Sequence, residues 1–289
     1  MNSLIVGAAT VLVATYVGVG ALLYTFQDRL MFQPGPPPPP PSETPAPELT
    51  PVTVTTADGL DLMSWYAPPP PDGRGRVVVY FHGNAGTLAD RAHKARALLD
   101  RGLGVMLVGY RGYNGNPGDP SEAGFREDGR AALAFLEAQG FGPEQRVHYG
   151  ESIGSGTALP LAVEAGAAAV VLEGGFTSMR AVAQGQYPLY PAGLLVRHPF
   201  DNVAAVQSLK APLLVLHGEH DDLVPVAMGR RLLEIARAAG NPRAEGVFFP
   251  DGNHVDLIEH GAMERLVRFL DTLPPPPASA PVIPGGVAR

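Results

Sequence analysis

The sequence predicts an α/β fold in which helices cover both faces of a mostly parallel sheet. Three observations lead to this prediction. Short apolar runs with the length of strands alternate with longer segments of helical periodicity. The run Val77–Phe81 is apolar at every position, as expected of a strand whose sheet is covered on both faces. The pattern Gly150-Glu151-Ser152-Ile153-Gly154 follows one such strand and precedes a helix-like stretch.

The elements are predicted in order along the chain. Two strands at residues 52–56 and 60–66 are joined at Asp58-Gly59, a favoured hairpin turn. Further strands are predicted at residues 77–81, 105–108, 146–149, 169–172, 212–216 and 246–249. Helices are predicted at residues 88–100, 121–138, 155–164, 226–239 and 255–273, with Ser121 as the N-cap of the second. Such an order of elements puts the functional loops at the carboxyl ends of the parallel strands.

The composition is that of a globular chain with little charge and no cysteine. With 289 residues, the chain is long enough for one large domain with appendages. Its formal net charge is −7 and its only lysines are Lys94 and Lys210, which argues against a nucleic acid or a polyphosphate as partner. The absence of cysteine excludes a catalytic thiol, a thiolate zinc site and a disulfide framework.

The N-terminal segment, residues 1–29, is predicted to be a single transmembrane anchor. Residues 4–26 are mostly apolar, and as a helix they would measure about 35 Å, enough to cross a hydrocarbon core of about 30 Å. A cleaved signal peptide is the competing interpretation, although the run exceeds the usual apolar region of such peptides. A buried core helix is a third interpretation, although all-round apolarity leaves no polar face for solvent. The flanking charges are too few to predict the orientation in the membrane.

Two proline-rich segments bracket the folded domain, which is expected over residues 49–273. Residues 30–48 include six consecutive prolines, which predict an extended linker that acts as a stiff spacer between membrane and domain. A ligand for SH3-type domains is the alternative interpretation of this linker. Residues 274–289 are rich in proline, alanine and glycine, a composition that predicts a disordered tail.

Ser152 is the candidate nucleophile. It lies between two glycines and between a predicted strand and a predicted helix, the context in which a tight turn exposes a serine at the carboxyl end of a sheet. The five-residue pattern alone is weak, because a serine between glycines is usually only a turn residue. A hydroxyl is a poor nucleophile without a base, and the base needs an acid to orient it. In this architecture the partners follow in the order serine, acid, histidine.

Both partners are found in loops that follow strands. Asp221 lies after the strand at 212–216, and His254 lies in the loop after the strand at 246–249. We predict His254 as the general base and Asp221 as the acid that orients it and stabilises the imidazolium. The backbone N–H groups of Asn84 and Ile153 are predicted to hold the developing oxyanion.

Other interpretations of these loops stay open. Asp222 is the alternative acid, with Asp221 then a turn residue. His82 and His217 precede glycines at strand ends and are expected to support loops, and Asp256 is expected to be a charge at the start of a helix. The cluster of acidic and histidine residues at 217–222 lacks the spacing of a known metal site, so no metal is expected.

Five motifs in order carry a resemblance to a known family: Phe81-His82-Gly83-Asn84-Ala85-Gly86, Gly109-Tyr110-Arg111-Gly112-Tyr113, Gly150 to Gly154, His217-Gly218-x-x-Asp221-x-x-Val224-Pro225, and Gly252-Asn253-His254. The chain resembles the single-pass membrane-anchored α/β-hydrolase family, which includes ABHD-type protein depalmitoylases. The resemblance implies the α/β-hydrolase fold and a triad of Ser152, Asp221 and His254. The chain departs from the family at Gly109, where relatives usually have aspartate, and in the loop at 114–118.

The expected function is that of a serine hydrolase that cleaves carboxylic esters or thioesters through an acyl-enzyme, without a cofactor. An amidase or peptidase of the same fold, or a catalytically inactive membrane-bound binding module, are the alternatives. A short cap insertion is expected at residues 184–202, where aromatic and aliphatic side chains either line an acyl pocket or pack a helix onto the core. A small-molecule or lipid-like acyl substrate is therefore expected, while the oligomeric state is not predicted.

Overall fold

A computed structural model describes residues 2–277 of the chain and confirms the predicted α/β architecture. Within these residues, eight strands form one sheet: β1 (Thr50–Thr55), β2 (Asp61–Ala67), β3 (Val77–Phe81), β4 (Gly104–Leu107), β5 (Arg146–Glu151), β6 (Ala169–Glu173), β7 (Leu213–Gly218) and β8 (Ala244–Phe249). Their spatial order is β8-β7-β6-β5-β3-β4-β2-β1. Strands β3 to β8 are mutually parallel, while β2 runs antiparallel to both β1 and β4.

Nine α-helices within residues 2–277 accompany the sheet: α1 (Asn2–Met31), α2 (Ala92–Leu99), α3 (Glu122–Ala138), α4 (Ser155–Ala165), α5 (Met179–Gln186), α6 (Ala192–Leu195), α7 (Asn202–Ser208), α8 (Val226–Ala238) and α9 (Ala262–Asp271). Alternate residues of β3 belong to different core clusters. Val78 and Tyr80 pack with α2 and α9, whereas Val79 and Phe81 pack with α3 and α4. This alternation confirms that helices cover both faces of the sheet.

Most predicted elements agree with the observed bounds to within one or two residues. The strand Val77–Phe81 is as predicted, and Ser121 caps α3 by accepting a hydrogen bond from the Gly124 N–H at 3.0 Å. These elements are set by local signals, namely apolar runs, caps and turn residues, which the sequence displays directly.

The predicted C-terminal helix over residues 255–273 is too long. In the structure, α9 begins only at Ala262, and the residues before it form turns. Asp256 is not at the start of a helix: its carboxylate accepts a hydrogen bond from the Asn253 N–H at 2.8 Å. Gly261 has φ 88°, a left-handed conformation that cannot continue a right-handed helix and therefore sets the start of α9.

The N-terminal helix α1 continues through Met31, slightly beyond the predicted anchor. Its residues Ser3–Met31 are long and apolar enough to cross a membrane, and the most apolar stretch is not buried by the rest of the protein. Length and composition alone suit both an uncleaved anchor and a signal sequence.

The segment after α1 differs from the predicted spacer because it lies against the domain. Phe32 is buried, with its ring 5.4 Å from that of Phe125. Gln33–Pro34 pairs in parallel with Ala85–Gly86, and further along Ala46 is fully buried. The chain is therefore fastened to the domain from Phe32 onward and does not stand off as a stalk. Of the predicted tail at 274–289, residues 278–289 lie outside the described residues.

A close backbone contact explains why position 109 is a glycine in this chain. A Cβ atom at this position would lie 1.9 Å from the carbonyl oxygen of Met63 in β2, so no larger residue fits. Asn116, from the chain's own loop at 114–118, donates its side-chain amide to the same carbonyl at 3.1 Å and accepts from the Met63 N–H at 2.8 Å. The two departures from the family pattern are thus one local arrangement that fastens this loop to β2.

Candidate active site

Ser152 lies on a strained turn between β5 and α4. Its φ is 51°, a left-handed conformation that non-glycine residues rarely adopt. A Cβ atom at Gly150 would lie 2.6 Å from Ser155 Cα, and one at Gly154 would lie 2.0 Å from the Phe81 carbonyl oxygen. Both glycines are therefore required by close backbone contacts, because the turn presses the start of α4 against β3. This geometry is that of a nucleophile elbow.

Two hydrogen bonds connect Ser152 with the other two predicted residues. His254 Nε2 lies 3.0 Å from Ser152 Oγ, and His254 Nδ1 lies 2.7 Å from Asp221 Oδ2. A carboxylate only accepts, so His254 Nδ1–H donates to Asp221, which leaves Nε2 free to accept from the Ser152 hydroxyl. The imidazole thus has the tautomer that a general base next to serine needs.

Asp221 is fixed by four neighbours in the loop after β7. Its Oδ1 accepts from the backbone N–H groups of Leu223 at 3.1 Å and Val224 at 2.7 Å, while Oδ2 also lies 3.2 Å from His217 Nε2. Burial alone would raise the pKa of Asp221, but hydrogen bonds from His217, His254 and Val224 outweigh it and hold the pKa well below its usual range. The carboxylate is therefore charged at any physiological pH. The neighbouring Asp222 is exposed.

His217 and His82 support loops, as expected from their positions. His217 is buried, with Nε2 2.8 Å from the Val224 carbonyl oxygen, and it closes the loop that carries Asp221. His82 Nδ1 lies 2.7 Å from the Gly83 carbonyl oxygen. Burial lowers the pKa of His82 to about 3, so this ring is neutral near pH 7.

The predicted oxyanion donors lie beside the nucleophile. Asn84 and Ile153 line the same cavity as Ser152. The loop that carries Asn84 is tied down from two sides: the Tyr113 hydroxyl donates to the Asn84 carbonyl oxygen at 2.8 Å, and the Asn84 side-chain amide donates to the Met31 carbonyl oxygen at 3.1 Å. The end of α1 therefore takes part in holding this loop.

The cavity above Ser152 measures about 340 Å³, near the lower end of the range for small-ligand pockets. One wall is the cap, which we define as residues 179–196, and its lining side chains include Met179, Val182, Tyr187, Tyr190, Leu195 and Val196. Of the two interpretations of the cap, the lining of a pocket is therefore the one observed. No Asp, Glu, Lys or Arg is among the lining residues that the structure describes.

A second wall of the cavity is α1, which the sequence did not lead us to expect. Its contributing residues are Gly20, Leu23, Tyr24, Gln27, Leu30 and Met31. Their spacing of three or four residues is that of one face of a helix. The periodicity was visible in the sequence, but an all-round apolar helix gives no signal for which face meets a partner.

A buried network of charged side chains lies behind the nucleophile, and the sequence pattern did not predict it either. Lys94 Nζ lies 2.8 Å from Glu173 and 3.4 Å from Glu151, and Arg91 lies 2.9 Å from Glu151. The hydroxyls of Tyr80 and Tyr149 donate to Glu151 and Glu173, respectively. Burial would raise the pKa of Glu151, but the positive charges of Lys94 and Arg91 hold it well below the usual value.

This network joins the strand of the nucleophile to the loop of Asn84. Arg91 donates both to Glu151, the residue before Ser152, and at 2.7 Å to the Ala85 carbonyl oxygen. Two carboxylates and two cations balance one another, so each charge depends on the others for compensation.

Replacing Lys94 with methionine is expected to lower the free energy of unfolding by about 3–5 kcal/mol, because Glu151 and Glu173 would stay buried without their shared cation. Denaturant titration of the full-length protein in detergent micelles measures this loss. Lys210 is exposed and provides the matched control, for which Lys210→Met should change stability by no more than about 0.5 kcal/mol. Equal stabilities of the two variants would show that the network does not stabilise the fold.

The chain is similar to a known family, to curated proteins and to solved structures. The profile of the prolyl oligopeptidase family matches residues 126–272. The uncharacterized protein Rv2307c of Mycobacterium tuberculosis is 38% identical over 273 residues, which cover 93% of this chain and 95% of that protein. The alpha/beta hydrolase domain-containing protein WAV2 of Arabidopsis thaliana is 30% identical over 280 residues, which cover 88% of this chain and 91% of that protein. The structure of the Pyrococcus furiosus esterase Pf2001 is similar with a TM-score of 0.66 at 21% identity, over 83% of this chain and 97% of that one.

Proposed function

Because this chain belongs to the α/β-hydrolases and matches the prolyl oligopeptidase family among them, we propose that it is a serine hydrolase acting on carboxylic esters or thioesters. The observation that carries the proposal is the pair of hydrogen bonds that links Ser152 to His254 and His254 to Asp221 at the wall of an apolar cavity. A strained serine, a base with the required tautomer and a charged acid are the three parts that acyl transfer needs.

In the proposed reaction, Ser152 Oγ attacks the acyl carbonyl carbon while His254 Nε2 takes the hydroxyl proton. Asp221 stabilises the imidazolium that results, and the backbone N–H groups of Asn84 and Ile153 hold the oxyanion. The tetrahedral intermediate collapses when His254 gives the proton to the leaving alcohol or thiol, which forms the acyl-enzyme. Water then attacks the acyl-enzyme with His254 again as the base, and the acid is released with Ser152 regenerated. Protein groups and water suffice for every step.

The residues that line the cavity support the proposal of an acyl substrate. Side chains such as Leu23, Phe176 and Leu195 give it an apolar wall, on which the hydrocarbon part of an acyl group is favourably buried. A peptidase is the second candidate, favoured by the match to the prolyl oligopeptidase family. Its substrate would bring a polar backbone and chain termini, for which the described lining offers no charged partner.

A catalytically inactive binding module is the third candidate. Such a module would have no need to keep Ser152 in a strained conformation or to hold Asp221 in its charged form with four hydrogen-bonding neighbours. Strain of this kind costs about 1–3 kcal/mol and is typical of functional sites. The geometry therefore supports an active hydrolase over an inactive module.

We further propose that α1 anchors the enzyme in a membrane. The support is its apolar stretch, Ser3–Met31, whose side chains are mostly exposed and would be solvated by lipid. The packed segment after α1 then brings the domain close to the bilayer surface, where a lipid-like substrate is within reach.

The preference for the bond is tested with substrates that share one acyl group. A nitrophenyl ester, a thioester and a nitroanilide of the same acid are offered to the full-length protein in detergent micelles. We expect kcat/KM for the ester and the thioester to exceed that for the anilide by about 10²-fold or more, because an amide leaving group depends more on general-acid protonation. The reverse order would favour the peptidase. A folded protein that hydrolyses none of the three would favour the binding module.

A further inference from the structure

One face of α1 forms a wall of the cavity that contains Ser152. The contributing residues run from Gly20 to Met31, about 16 Å along the helix axis. A helix that served only as an anchor would need no particular face toward the domain. Here a continuous stripe of three turns is turned toward the nucleophile.

The cap is fastened to this helix by specific contacts. The rings of Tyr16 and Tyr190 stack with centroids 4.5 Å apart, and the Tyr16 hydroxyl donates to the Leu189 carbonyl oxygen at 2.7 Å. Farther along α1, Gln27 donates to the Leu195 carbonyl oxygen of the cap at 3.2 Å and accepts from the N–H of Arg197, the residue after the cap, at 2.8 Å. The Arg197 side chain lies 3.3 Å from Asp28. These contacts hold the two walls of the cavity together along its length.

The outer side of α1 and the cap is apolar and exposed. Leu189 and Leu194 of the cap are 81% and 88% exposed, and Val17 and Leu22 of α1 are also exposed. Tyr16, where the cap meets α1, lies inside the apolar run of residues 4–26 rather than at its end. If α1 enters a bilayer, the tip of the cap therefore enters the same hydrocarbon, in which exposed leucines are favourable.

We propose that the cavity binds the acyl chain of a bilayer-resident ester or thioester, with α1 and the cap as its two walls. This inference rests on the proposed function and adds to it that α1, together with the cap, selects the length of the acyl chain. The acyl chain lies along the stripe of α1 with its carbonyl carbon at Ser152. The volume of about 340 Å³ suits one acyl chain.

Gly20 is a position at which α1 lies directly against the cap. A Cβ atom there would lie 3.2 Å from the Tyr190 ring, tighter than ordinary van der Waals contact. A leucine at this position must displace Tyr190 or fill the far part of the pocket. Gly18 lies two residues away on the same helix, does not line the cavity and has no atom within 4 Å of a Cβ.

The test compares Gly20→Leu with Gly18→Leu in the full-length protein, reconstituted in phosphatidylcholine vesicles. Nitrophenyl esters from butyrate to palmitate are the substrates, and fluorophosphonate labelling reports an intact site. In Gly20→Leu we expect the ratio of kcat/KM for palmitate to that for butyrate to fall by about tenfold or more, because the leucine side chain takes up space that the far end of a long acyl chain needs. Gly18→Leu should keep the wild-type ratio.

A second matched pair of variants distinguishes an effect on the pocket from a folding defect in Gly20→Leu. Leu23→Trp fills the cavity, whereas Leu22→Trp adds the same bulk on the exposed side of α1. If Gly20→Leu loses fluorophosphonate labelling, the comparison of Leu23→Trp with Leu22→Trp replaces it as the test. We expect the ratio of kcat/KM for palmitate to that for butyrate to fall in Leu23→Trp and to stay at the wild-type value in Leu22→Trp. Unchanged ratios in both cavity-facing variants, with wild type active, would overturn the role of α1 and leave the proposed function intact. A wild type that is inactive and unlabelled would contradict both the role of α1 and the proposed function.

Discussion

Replacing Ser152 with alanine is expected to lower kcat/KM for a nitrophenyl ester by about 10⁴- to 10⁶-fold, the range seen when a triad nucleophile is removed. The loss follows from the geometry, because Ser152 Oγ lies 3.0 Å from His254 Nε2 at the cavity. Initial-rate kinetics on purified full-length protein measure the effect, and the melting temperature shows that the variant is folded.

The matched control is Ser155→Ala, the same substitution one turn along the chain. Ser155 is buried, and its hydroxyl accepts a hydrogen bond from the Asn202 side-chain amide at 2.9 Å. That amide keeps a second acceptor, the Phe176 carbonyl oxygen, so the variant should stay within about tenfold of wild-type activity. Similar losses in both serine variants would point to a packing defect and would contradict a nucleophilic role for Ser152.

Asp221→Asn is expected to lower kcat by about 10⁴-fold, as found when a triad aspartate becomes an amide. The carboxylate accepts from His254 Nδ1–H at 2.7 Å and so keeps Nε2 unprotonated toward Ser152. An amide can turn its N–H₂ group toward the ring instead, which favours the wrong tautomer. The effect should be on kcat more than on KM, because Asp221 is not among the residues lining the cavity.

Asp222→Asn discriminates between the two acids that the sequence left open. Asp222 is exposed, so this variant is expected to keep kcat within about threefold of wild type, as for a surface substitution that changes stability by less than about 0.5 kcal/mol. A large loss in Asp222→Asn together with an active Asp221→Asn would assign the acid to Asp222 and would mean that the loop after β7 rearranges in the working enzyme.

The parts of the fold that the sequence predicted correctly depend on local signals. The strand Val77–Phe81 is an unbroken apolar run, Ser121 precedes its helix as a cap, and the two glycines around Ser152 indicate a turn where nothing larger fits. The residues proposed for catalysis lie in loops after strands, so the order of strands brings Ser152, Asp221 and His254 to one edge of the sheet.

The parts that the sequence did not reveal depend on contacts between distant segments. The proline-rich segment has the composition of a free spacer, yet Phe32 finds a buried site beside Phe125, some 90 residues later. Lys94 is one of only two lysines, but nothing local indicates that it lies buried between Glu151 and Glu173. The stripe of α1 that faces the cavity depends on the cap, which lies about 150 residues later in the chain.

Mapping a covalent adduct decides whether Ser152 is the nucleophile of a working hydrolase. Full-length protein is treated with a fluorophosphonate, digested and analysed by mass spectrometry, with Ser152→Ala treated in parallel. We expect one phosphonylated site, at Ser152, formed in the wild type and lost in the variant. A folded wild type that forms no adduct, or that carries the adduct at another residue, would rule out Ser152 as the nucleophile.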